Sequence, residues 1–268
     1  LFGKASVDYI KGGGGSGDVT VAYTRNLCDA IEEKQTQGKL TCVPALHEFY
    51  REYVSSQFAA GALWGRLDEP ELPQALLAQA AREADTAIIS ICRFSSEGGD
   101  RAAAEGDFYL SAGEKRLVQT VCGAFSKVAV ILNVGGVVDT AWFAANPAIQ
   151  AALLAWQGGM EGAMAEADLL CGDICPSGKL TDTFAASFDD YPSSANFHES
   201  EDYVCYTDDI FVGYRYFETI PGAAEKVIYP FGFGLSYTTF EIVCTNADSD
   251  DETIRVTALV KNTGGAAG

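Results

Sequence analysis

Thr86-Ala-Ile-Ile-Ser-Ile-Cys92 is a short apolar run with β-branched residues, and Lys127-Val-Ala-Val-Ile-Leu-Asn-Val134 is a second one. Neither run alternates between apolar and polar residues, which indicates strands that are covered on both faces. Between them, Ser111-Ala-Gly-Glu114 has the spacing of a capping box and predicts a helix that reaches about Phe125. A strand, a helix and a strand in this order predict a parallel crossover. This stretch therefore decides the fold class, which is α/β.

Further α/β elements flank this stretch on both sides. Pro73 to Glu83 has helical spacing, Ile149 to Trp156 indicates a third strand, and a helix is predicted from about Glu161 to Leu170. Residues 1–236 are therefore predicted to form a three-layer α/β sandwich, a mostly parallel sheet flanked by helices, with an aromatic-rich linking segment at its end. In such sheets, sites gather in loops at the carboxyl ends of strands. The loops after Cys92 and after Trp156 are the first places to look.

The chain changes character after residue 236. Phe240-Glu-Ile-Val-Cys244 and Thr253-Ile-Arg-Val-Thr-Ala-Leu-Val260 predict two strands around an acidic turn. Two strands alone do not make an independently stable domain. Residues 237–268 are therefore expected to be the first strands of an incomplete β-sandwich.

Charge limits the classes of partner. The 268 residues include 37 acidic and 18 basic ones, which gives a formal net charge of −19. Such a surface repels nucleic acid and anionic membranes, and no apolar stretch reaches the roughly 20 residues that span a bilayer. We therefore expect neither nucleic acid nor a membrane among the partners, whereas a homo-oligomer remains open.

Eight cysteines have spacings that form no compact disulfide framework. In a chain of this size they indicate reduced, mostly buried thiols, and therefore a reducing, cytoplasmic compartment. Cys171 and Cys175 do not predict a metal site, because the chain has only His47 and His198 as histidines and no second cysteine pair nearby. No metal and no cofactor is expected.

The glycine-rich segment Lys11-Gly-Gly-Gly-Gly-Ser-Gly17 is a candidate ligand loop. Glycines allow the backbone to approach a ligand closely, and Ser16 adds a hydroxyl that can donate or accept. A flexible linker and a phosphate-binding loop are the alternatives. The sequence favours a ligand-lining loop over a nucleotide site, because no Gly-Lys-Ser/Thr follows and no Gly-x-Gly-x-x-Gly opens a convincing helix.

Glu97 follows the first predicted strand, in the loop Ser95-Ser-Glu-Gly-Gly-Asp-Arg101. A carboxyl group on small residues at the carboxyl end of a strand can reach into a cleft. The alternative is that Glu97 is a solvated surface acid, as most acidic residues are. Asp100 and Arg101 are expected to form a local ion pair that shapes the loop.

This loop, with Gly106-Asp-Phe-Tyr-Leu110, resembles the acid/base loop of glycoside hydrolase family 3. The final segment, Lys261-Asn-Thr-Gly-Gly-Ala-Ala-Gly268, resembles the opening of that family's fibronectin type III-like domain. Other segments in the family's order extend the resemblance over nearly the whole chain: Ala155-Trp-Gln-Gly-Gly-Met-Glu-Gly162, Gly172-Asp-Ile-Cys-Pro-Ser-Gly-Lys-Leu180, Tyr206-Thr-Asp-Asp-Ile-Phe-Val-Gly-Tyr-Arg-Tyr-Phe217 and Tyr229-Pro-Phe-Gly-Phe-Gly-Leu-Ser-Tyr-Thr-Thr-Phe240. One such segment would be weak evidence, but the ordered set is specific.

The resemblance implies a retaining β-glycosidase of the β-glucosidase type that hydrolyses terminal, non-reducing β-linked sugars. Glu97 falls on the family's acid/base Glu. Ser16 falls on a serine that touches the sugar in some members. The resemblance also implies an Asp nucleophile in a (β/α)8 barrel, which has no counterpart in these 268 residues and would belong to the same protein or to a companion chain. The opening residues look more like the family order in which the barrel comes last.

Retaining hydrolysis needs two carboxyl groups about 5–5.5 Å apart. One attacks the anomeric carbon, and the other protonates the leaving oxygen and later deprotonates water. The second group must begin protonated, and a barrel that closes over Glu97 would raise its pKa by desolvation and by the nearby nucleophile. Without the barrel, Glu97 should be an ordinary acid, and this chain alone is expected to be inactive.

Three other features have structural interpretations. Gly and Pro in the segment from Gly172 to Gly178 indicate a turn after a helix. The aromatic residues of Gly213-Tyr-Arg-Tyr-Phe217 are expected to pack the linking segment rather than to stack on sugar. Glu161 is expected to cap the helix that it begins, where a carboxylate is favoured by the helix dipole.

Several functional alternatives stay open at this point. The chain could be a non-catalytic module of the same fold that binds a sugar or a protein. A dinucleotide-binding protein would require a dinucleotide to raise the melting temperature, and no such shift is expected. For an enzyme, a β-glucoside or short oligosaccharide is the expected substrate, with xylose, galactose, N-acetylglucosamine and a phosphorylase reaction as alternatives.

Overall fold

The computed structural model of the chain describes residues 1–97 and 99–267. Gly98, which belongs to the loop from Ser95 to Arg101, and Gly268, which ends the segment from Lys261, lie outside the described residues. The α-helices are Leu27–Thr36 (α1), Pro44–Ala59 (α2), Gln74–Glu83 (α3), Ala112–Ala124 (α4), Ala141–Ala144 (α5), Gly162–Leu170 (α6) and Tyr214–Thr219 (α7). The strands are Ala87–Arg93 (β1), Val128–Val134 (β2), Ile149–Leu154 (β3), Phe184–Ala185 (β4), Val227–Tyr229 (β5), Phe240–Ser249 (β6) and Ile254–Asn262 (β7).

The main sheet has the strand order β1-β2-β3, and both pairings are parallel. The register of the first pair runs from Ala87 opposite Val128 to Arg93 opposite Val134. All three strands lie where the sequence predicts them. The third strand ends at Leu154, two residues earlier than predicted, and Trp156 just beyond it has a φ of 53° that a strand does not adopt.

Helices cover both faces of this sheet. Neighbouring residues of a strand point to opposite faces, so the cluster that each residue belongs to shows which helices cover its face. On β2, Val130 and Leu132 belong to a buried cluster with side chains from α2, α3 and α4, whereas Ile131 belongs to a cluster with α1 and α6. A continuous apolar strand is the expected result of this arrangement. The three-layer α/β fold is confirmed.

The helix between β1 and β2 begins at the predicted capping box. The Ser111 hydroxyl accepts from the Glu114 N–H at 3.2 Å, and Glu114 Oε2 accepts from the Ser111 N–H at 2.8 Å. Each contact provides a partner for an amide that the helix cannot satisfy itself. The helix ends at Ala124, one residue before the predicted end.

The N-terminal residues run alongside β1. Phe2 forms a parallel bridge with Ile89, and its N–H donates to the Ile88 carbonyl at 2.8 Å. Gly3 has a φ of 101°, and a Cβ there would lie 2.2 Å from the Ser90 carbonyl oxygen, so this close approach requires glycine. This parallel course brings the glycine-rich segment to the carboxyl end of β1.

The C-terminal part contains two small antiparallel pairs, β4 with β5 and β6 with β7. Phe217 of α7 is buried in a cluster with Ala185 and Ala223, as the interpretation of the aromatic segment expects. The β6–β7 hairpin has the predicted two strands, and every residue of both is exposed, including Ile242 and Val260. Of the predicted first strands of a β-sandwich, the structure therefore shows this two-stranded hairpin.

All eight cysteines are free, but the prediction that most of them are buried is wrong. Only Cys28 and Cys92 are buried, whereas Cys205 and Cys244 are exposed. These two exposed residues lie in the linking segment and in the hairpin, which have little of the chain packed over them. Over the part of the chain that the structure describes, no helix combines the length and the apolar character needed to cross a membrane.

Candidate functional site

The loops that the sequence singles out meet at the carboxyl end of the sheet. Asn133 of β2 is 1% exposed and joins two of them. Its Oδ1 accepts from the Ile10 N–H at 2.7 Å, and its Nδ2 donates to the carbonyls of Ile10 at 3.0 Å and Trp156 at 2.7 Å. A buried amide with these partners fixes the start of the glycine-rich segment against the loop that follows β3.

An ion pair closes the glycine-rich segment at its base. Lys11 Nζ lies 2.7 Å from Asp18 Oδ1 and donates to the Val19 carbonyl at 3.0 Å. The Lys11 carbonyl accepts from the Gly159 N–H at 2.8 Å, which ties this base to the loop after β3. The segment is therefore a closed loop with fixed ends and not a free linker.

The glycine-rich loop contacts the loop that carries Glu97. The Gly14 N–H donates to the Ser95 carbonyl at 2.8 Å, and the Ser16 N–H donates to Glu97 Oε2 at 2.8 Å. Gly15 has a φ of 77°, and a Cβ there would lie 2.4 Å from Glu97 Cβ. Only glycine allows this approach. The structure thus brings both sequence-predicted site residues, Glu97 and Ser16, into direct contact.

Glu97 is exposed, and its carboxyl group is stabilised as an anion. The Ser16 N–H lowers the pKa of Glu97 below its ordinary value, with a smaller lowering from the Ser16 hydroxyl and little opposition from burial. The expectation that Glu97 is an ordinary acid in the absence of a covering domain needs correction in this respect. The carboxyl group is a somewhat stronger acid than usual, because the glycine-rich loop donates to it.

Buried charges anchor the base of the Glu97 loop. Arg93, the last residue of β1, forms a bidentate ion pair with Glu114 at 2.6 and 2.7 Å, and both side chains are more than nine-tenths buried. Arg93 also donates to the carbonyls of Asp107 at 2.7 Å and Tyr109 at 3.2 Å. The part of the chain that runs from the Glu97 loop to α4 is therefore fixed to the end of β1.

The expected ion pair between Asp100 and Arg101 is not the one that forms. Arg101 pairs instead with Asp107 at 2.5 Å, and it also donates to the Phe94 carbonyl at 3.1 Å and to Ser95 Oγ at 3.0 Å. A pair between sequence neighbours would leave the loop open. The pair with Asp107 closes the loop across its base.

Phe94 supports the same loop from the side. Its ring lies edge-on to Trp64 at 5.2 Å, and the Arg66 guanidinium stands 5.5 Å from its centre. A Cβ at Gly14 would lie 2.7 Å from the ring, and one at Gly65 would lie 2.8 Å from Phe94 Cβ. Nothing in the sequence indicates that Trp64, Gly65 and Phe94 lie together, because only the fold brings their segments into contact.

Tyr9 and Glu166 form another buried pair that the sequence did not reveal. Tyr9 Oη donates to Glu166 Oε1 at 2.8 Å, and burial raises the pKa of Glu166 to about 7. A Cβ at Gly162 would lie 2.2 Å from Tyr9 Oη, so the glycines of the matching segment around residue 160 have a packing role. The pair lies between α6 and the N-terminal segment and supports the fold rather than the site.

The interpretation of Glu161 as a helix cap is wrong. Glu161 precedes α6, but its side chain makes no capping hydrogen bond. Its carboxylate instead accepts from Tyr23 Oη at 2.6 Å and lies 3.4 Å from Arg25 Nε. These stronger partners compete with the helix amides, and they tie the segment after the glycine-rich loop to α6.

No group of three or more His, Cys, Asp or Glu side chains able to hold a metal ion occurs in residues 1–97 and 99–267.

The segment from Gly172 to Gly178 is a turn, with Gly172 at a φ of 72°. Asp173 in this turn pairs with Lys34 at 2.9 Å and Lys39 at 2.6 Å. These contacts agree with its structural interpretation.

Known proteins match the chain over most of its length. The family model described as "Glycosyl hydrolase family 3 C-terminal domain" matches residues 1–237. "Beta-glucosidase A" of Butyrivibrio fibrisolvens is 53% identical over 262 residues, which cover 90% of this chain and 31% of that protein. "Beta-glucosidase" of Ruminococcus albus is 40% identical and is matched by the whole chain over 28% of its own length. The chain spans about a third of the length of these curated relatives.

Solved structures give the same result. The β-glucosidase of Paenibacillus barengoltzii is 37% identical with a TM-score of 0.88, over 98% of this chain and 29% of that one. β-Glucosidase 3B of Thermotoga neapolitana, solved in complex with α-D-glucose, is 38% identical with a TM-score of 0.85, over 100% of this chain and 38% of that one. The fold and the sequence therefore point to the same group of proteins.

Proposed function

The chain belongs to glycosyl hydrolase family 3, and on this premise we propose that Glu97 is the general acid/base of a retaining β-glucosidase-type enzyme. One observation carries the proposal. Glu97 stands exposed on a loop at the carboxyl end of a parallel strand, and a second loop with Ser16 is built around its carboxylate. A carboxyl group for proton transfer must reach its substrate from a fixed position, and this one is both reachable and fixed.

The nucleophile of this enzyme lies outside the chain, in a (β/α)8 barrel of the same protein or of a companion chain. The proposal is supported by the relatives, of which this chain spans about a third. Residues 1–236 then form the α/β-sandwich domain with its linking segment, and residues 237–268 begin the fibronectin type III-like domain. The exposed apolar side chains of the β6–β7 hairpin are consistent with further strands that cover them.

Barrel and sandwich would together create the catalytic pair. In the structure the pKa of Glu97 is below its ordinary value, which suits a base but not an acid. Desolvation by a covering domain and a second carboxylate about 5–5.5 Å away would both raise it. Glu97 could then protonate the glycosidic oxygen in the first step and accept a proton from water in the second.

Ser16 is proposed to contribute to sugar binding through its hydroxyl. The loop is exposed at this position, and the backbone N–H of the residue is already engaged with Glu97. The hydroxyl also lowers the pKa of Glu97, and it can in addition accept a hydrogen bond from a substrate that lies next to the acid/base. The proposed substrate is a β-glucoside or short oligosaccharide, and the proposed compartment is the cytoplasm, where the free cysteines stay reduced.

The test replaces Glu97 by Ala in the complete enzyme, with Asp100→Ala as the matched control, an exposed acid of the same loop. Glu97→Ala is expected to lower turnover of natural β-glucosides by about 10²–10⁴-fold, the usual contribution of a positioned proton-transfer group. Azide should restore turnover of an activated aryl β-glucoside and give the glycosyl azide. Asp100→Ala should retain activity. Full activity of Glu97→Ala on natural substrates would refute the assignment.

The competing function is a non-catalytic module that binds a sugar or a protein. If the chain were such a module, the complete protein would bind glucose, azide would have no effect on it, and Glu97→Ala would not lower its turnover. The built contact between Ser16 and Glu97 favours the enzyme, because a binding module has no need to hold one carboxylate in an anionic state.

A further inference from the structure

The contact that Glu97 makes favours one of the two steps that the proposed function requires of it. Its carboxylate accepts from the Ser16 N–H at 2.8 Å. A donated N–H stabilises the ionised carboxylate and disfavours the protonated one. The arrangement in the structure is therefore suited to the step in which Glu97 removes a proton from water, and unsuited to the step in which it gives a proton to the leaving oxygen.

The two carboxylate oxygens have different surroundings. Oε2 accepts from the Ser16 N–H, whereas Oε1 accepts from no main-chain N–H of residues 1–97 and 99–267. The Ser16 hydroxyl also lies close enough to the carboxyl group to lower the pKa of Glu97. The residue is exposed, so Oε1 can be reached by a water molecule. One oxygen thus fixes the direction of the carboxylate, and the other is left to accept a proton.

The glycine-rich loop is built for this contact. Lys11 and Asp18 close the loop at 2.7 Å, and the Gly14 N–H holds it to the Ser95 carbonyl at 2.8 Å. Gly15 has a φ of 77° and leaves room for the Glu97 side chain, which a Cβ would meet at 2.4 Å. Several independent features therefore place the Ser16 N–H at the carboxylate.

We propose that the main-chain amide of Ser16 is a positioning group that holds the Glu97 carboxylate for the water-activating step, and that Glu97 leaves this amide for the protonating step. The inference rests on the proposed function and assigns to the Ser16 backbone a role separate from a contact between its hydroxyl and the sugar. Ser16 acts through Glu97 and needs no bond to a reacting atom.

The chemistry of both steps balances. When the glycosyl-enzyme is hydrolysed, Oε1 takes a proton from water, the water oxygen forms a bond to the anomeric carbon, and the bond from that carbon to the nucleophile carboxylate breaks. Glu97 is then neutral and binds the N–H less strongly. It turns to the next glycosidic oxygen and donates its proton, while the bond from the anomeric carbon to that oxygen breaks and the nucleophile carboxylate bonds to the carbon.

The experiment compares Ser16→Pro, which lacks the N–H, with Ser16→Ala, which keeps it, in the complete enzyme. The substrate is an aryl β-glucoside with a good leaving group, and trapping of the glycosyl-enzyme establishes that its hydrolysis limits kcat. Loss of the amide should move the acidic limb of the kcat–pH profile upward by about one pH unit relative to Ser16→Ala, since a hydrogen bond to a charged group contributes about 1.5–3 kcal/mol. At pH values well below the limb this leaves about a tenth of the kcat of Ser16→Ala.

A second pair of variants tests the contact without proline. Gly15→Ala places a Cβ against the Glu97 side chain, whereas Gly17→Ala meets nothing within 4 Å. We expect the same upward shift of the limb for Gly15→Ala and none for Gly17→Ala. Thermal unfolding of each variant shows whether the variant is still folded, so that a changed pH profile is not mistaken for a loss of structure.

The proposal is overturned if both Ser16→Pro and Gly15→Ala lower kcat without a shift of the limb, because that result indicates a merely structural loop. It is also overturned if Ser16→Ala moves the limb as far as Ser16→Pro. The failure of the proposed function looks different, since Glu97→Ala would then retain activity on natural substrates whatever the Ser16 variants do.

Discussion

At the scale of single residues, the proposed site depends on the contact between the Ser16 N–H and the Glu97 carboxylate. The two residues are 81 positions apart, and they meet because the N-terminal segment runs parallel to β1. No periodic pattern in residues 1–10 predicts that course. Likewise, the choice of Asp107 over Asp100 by Arg101 depends on the path of the loop, which single-sequence reasoning does not supply.

The buried ion pair between Arg93 and Glu114 is predicted to be essential for stability. Arg93→Leu leaves the Glu114 carboxylate buried without its partner and should lower the free energy of unfolding by about 3–5 kcal/mol. The control is Lys115→Ala, which breaks the exposed pair with Glu105 and should cost less than about 1 kcal/mol. Urea unfolding of the chain measures both. Similar small losses for the two variants would contradict the account.

Glu166 makes the stability depend on pH. Burial raises its pKa to about 7 from 4.5, so the folded chain holds a proton that the unfolded chain has released. Stability is therefore lost as the pH rises from about 4.5 to about 7 and is not regained above that. Glu166→Gln removes this loss and should gain about 3 kcal/mol relative to the parent chain over that range. Unfolding at several pH values tests this, with the exposed Glu218→Gln as the control; a constant difference would refute it.

At the scale of elements, the sequence predicts best where the signal is local. The apolar runs of β1 and β2 and the capping box of α4 are each a signal of a few consecutive residues, and the structure has all three. The ends of elements are less predictable, because tertiary contacts decide them. The third strand stops at Leu154, and just beyond it Asn133 Nδ2 donates to the Trp156 carbonyl, a contact between distant residues that no local pattern predicts.

The capping box gives a prediction for α4. Ser111→Ala removes the hydroxyl that accepts from the Glu114 N–H, and it should lower the free energy of unfolding by about 1 kcal/mol. Ser111→Asp keeps an acceptor at the same place and should restore most of the loss. Urea unfolding distinguishes the two, and equal stability of Ser111→Ala and the parent chain would show that the cap contributes nothing.

At the scale of the whole molecule, the chain is about a third of the length of its curated relatives, and its proposed site holds a single catalytic carboxylate. The negative charge disfavours nucleic acid as a partner, but it contains no information on which sugar a β-glucosidase-type enzyme would bind. The fold class could be predicted from the alternation of strands and helices. The identity of the substrate could not.

The isolated chain is predicted to have no β-glucosidase activity. Glu97 is exposed and ionised near neutral pH, and the proposal places its nucleophilic partner in a separate barrel. The measurement is turnover of an aryl β-glucoside by folded chain alone, with its Glu97→Ala variant as the background. Turnover that disappears in the variant would show that the nucleophile lies within these residues.

The general-acid role of Glu97 is tested most directly by the dependence on the leaving group. In the complete enzyme, kcat/KM is measured for a series of aryl β-glucosides whose phenols differ in acidity, with and without Glu97→Ala. A lost acid should cost about 10²–10⁴-fold for the poorest leaving groups and little for the best, which need no proton. A loss of equal size across the whole series would contradict the account, because it would show that Glu97 does not protonate the leaving oxygen.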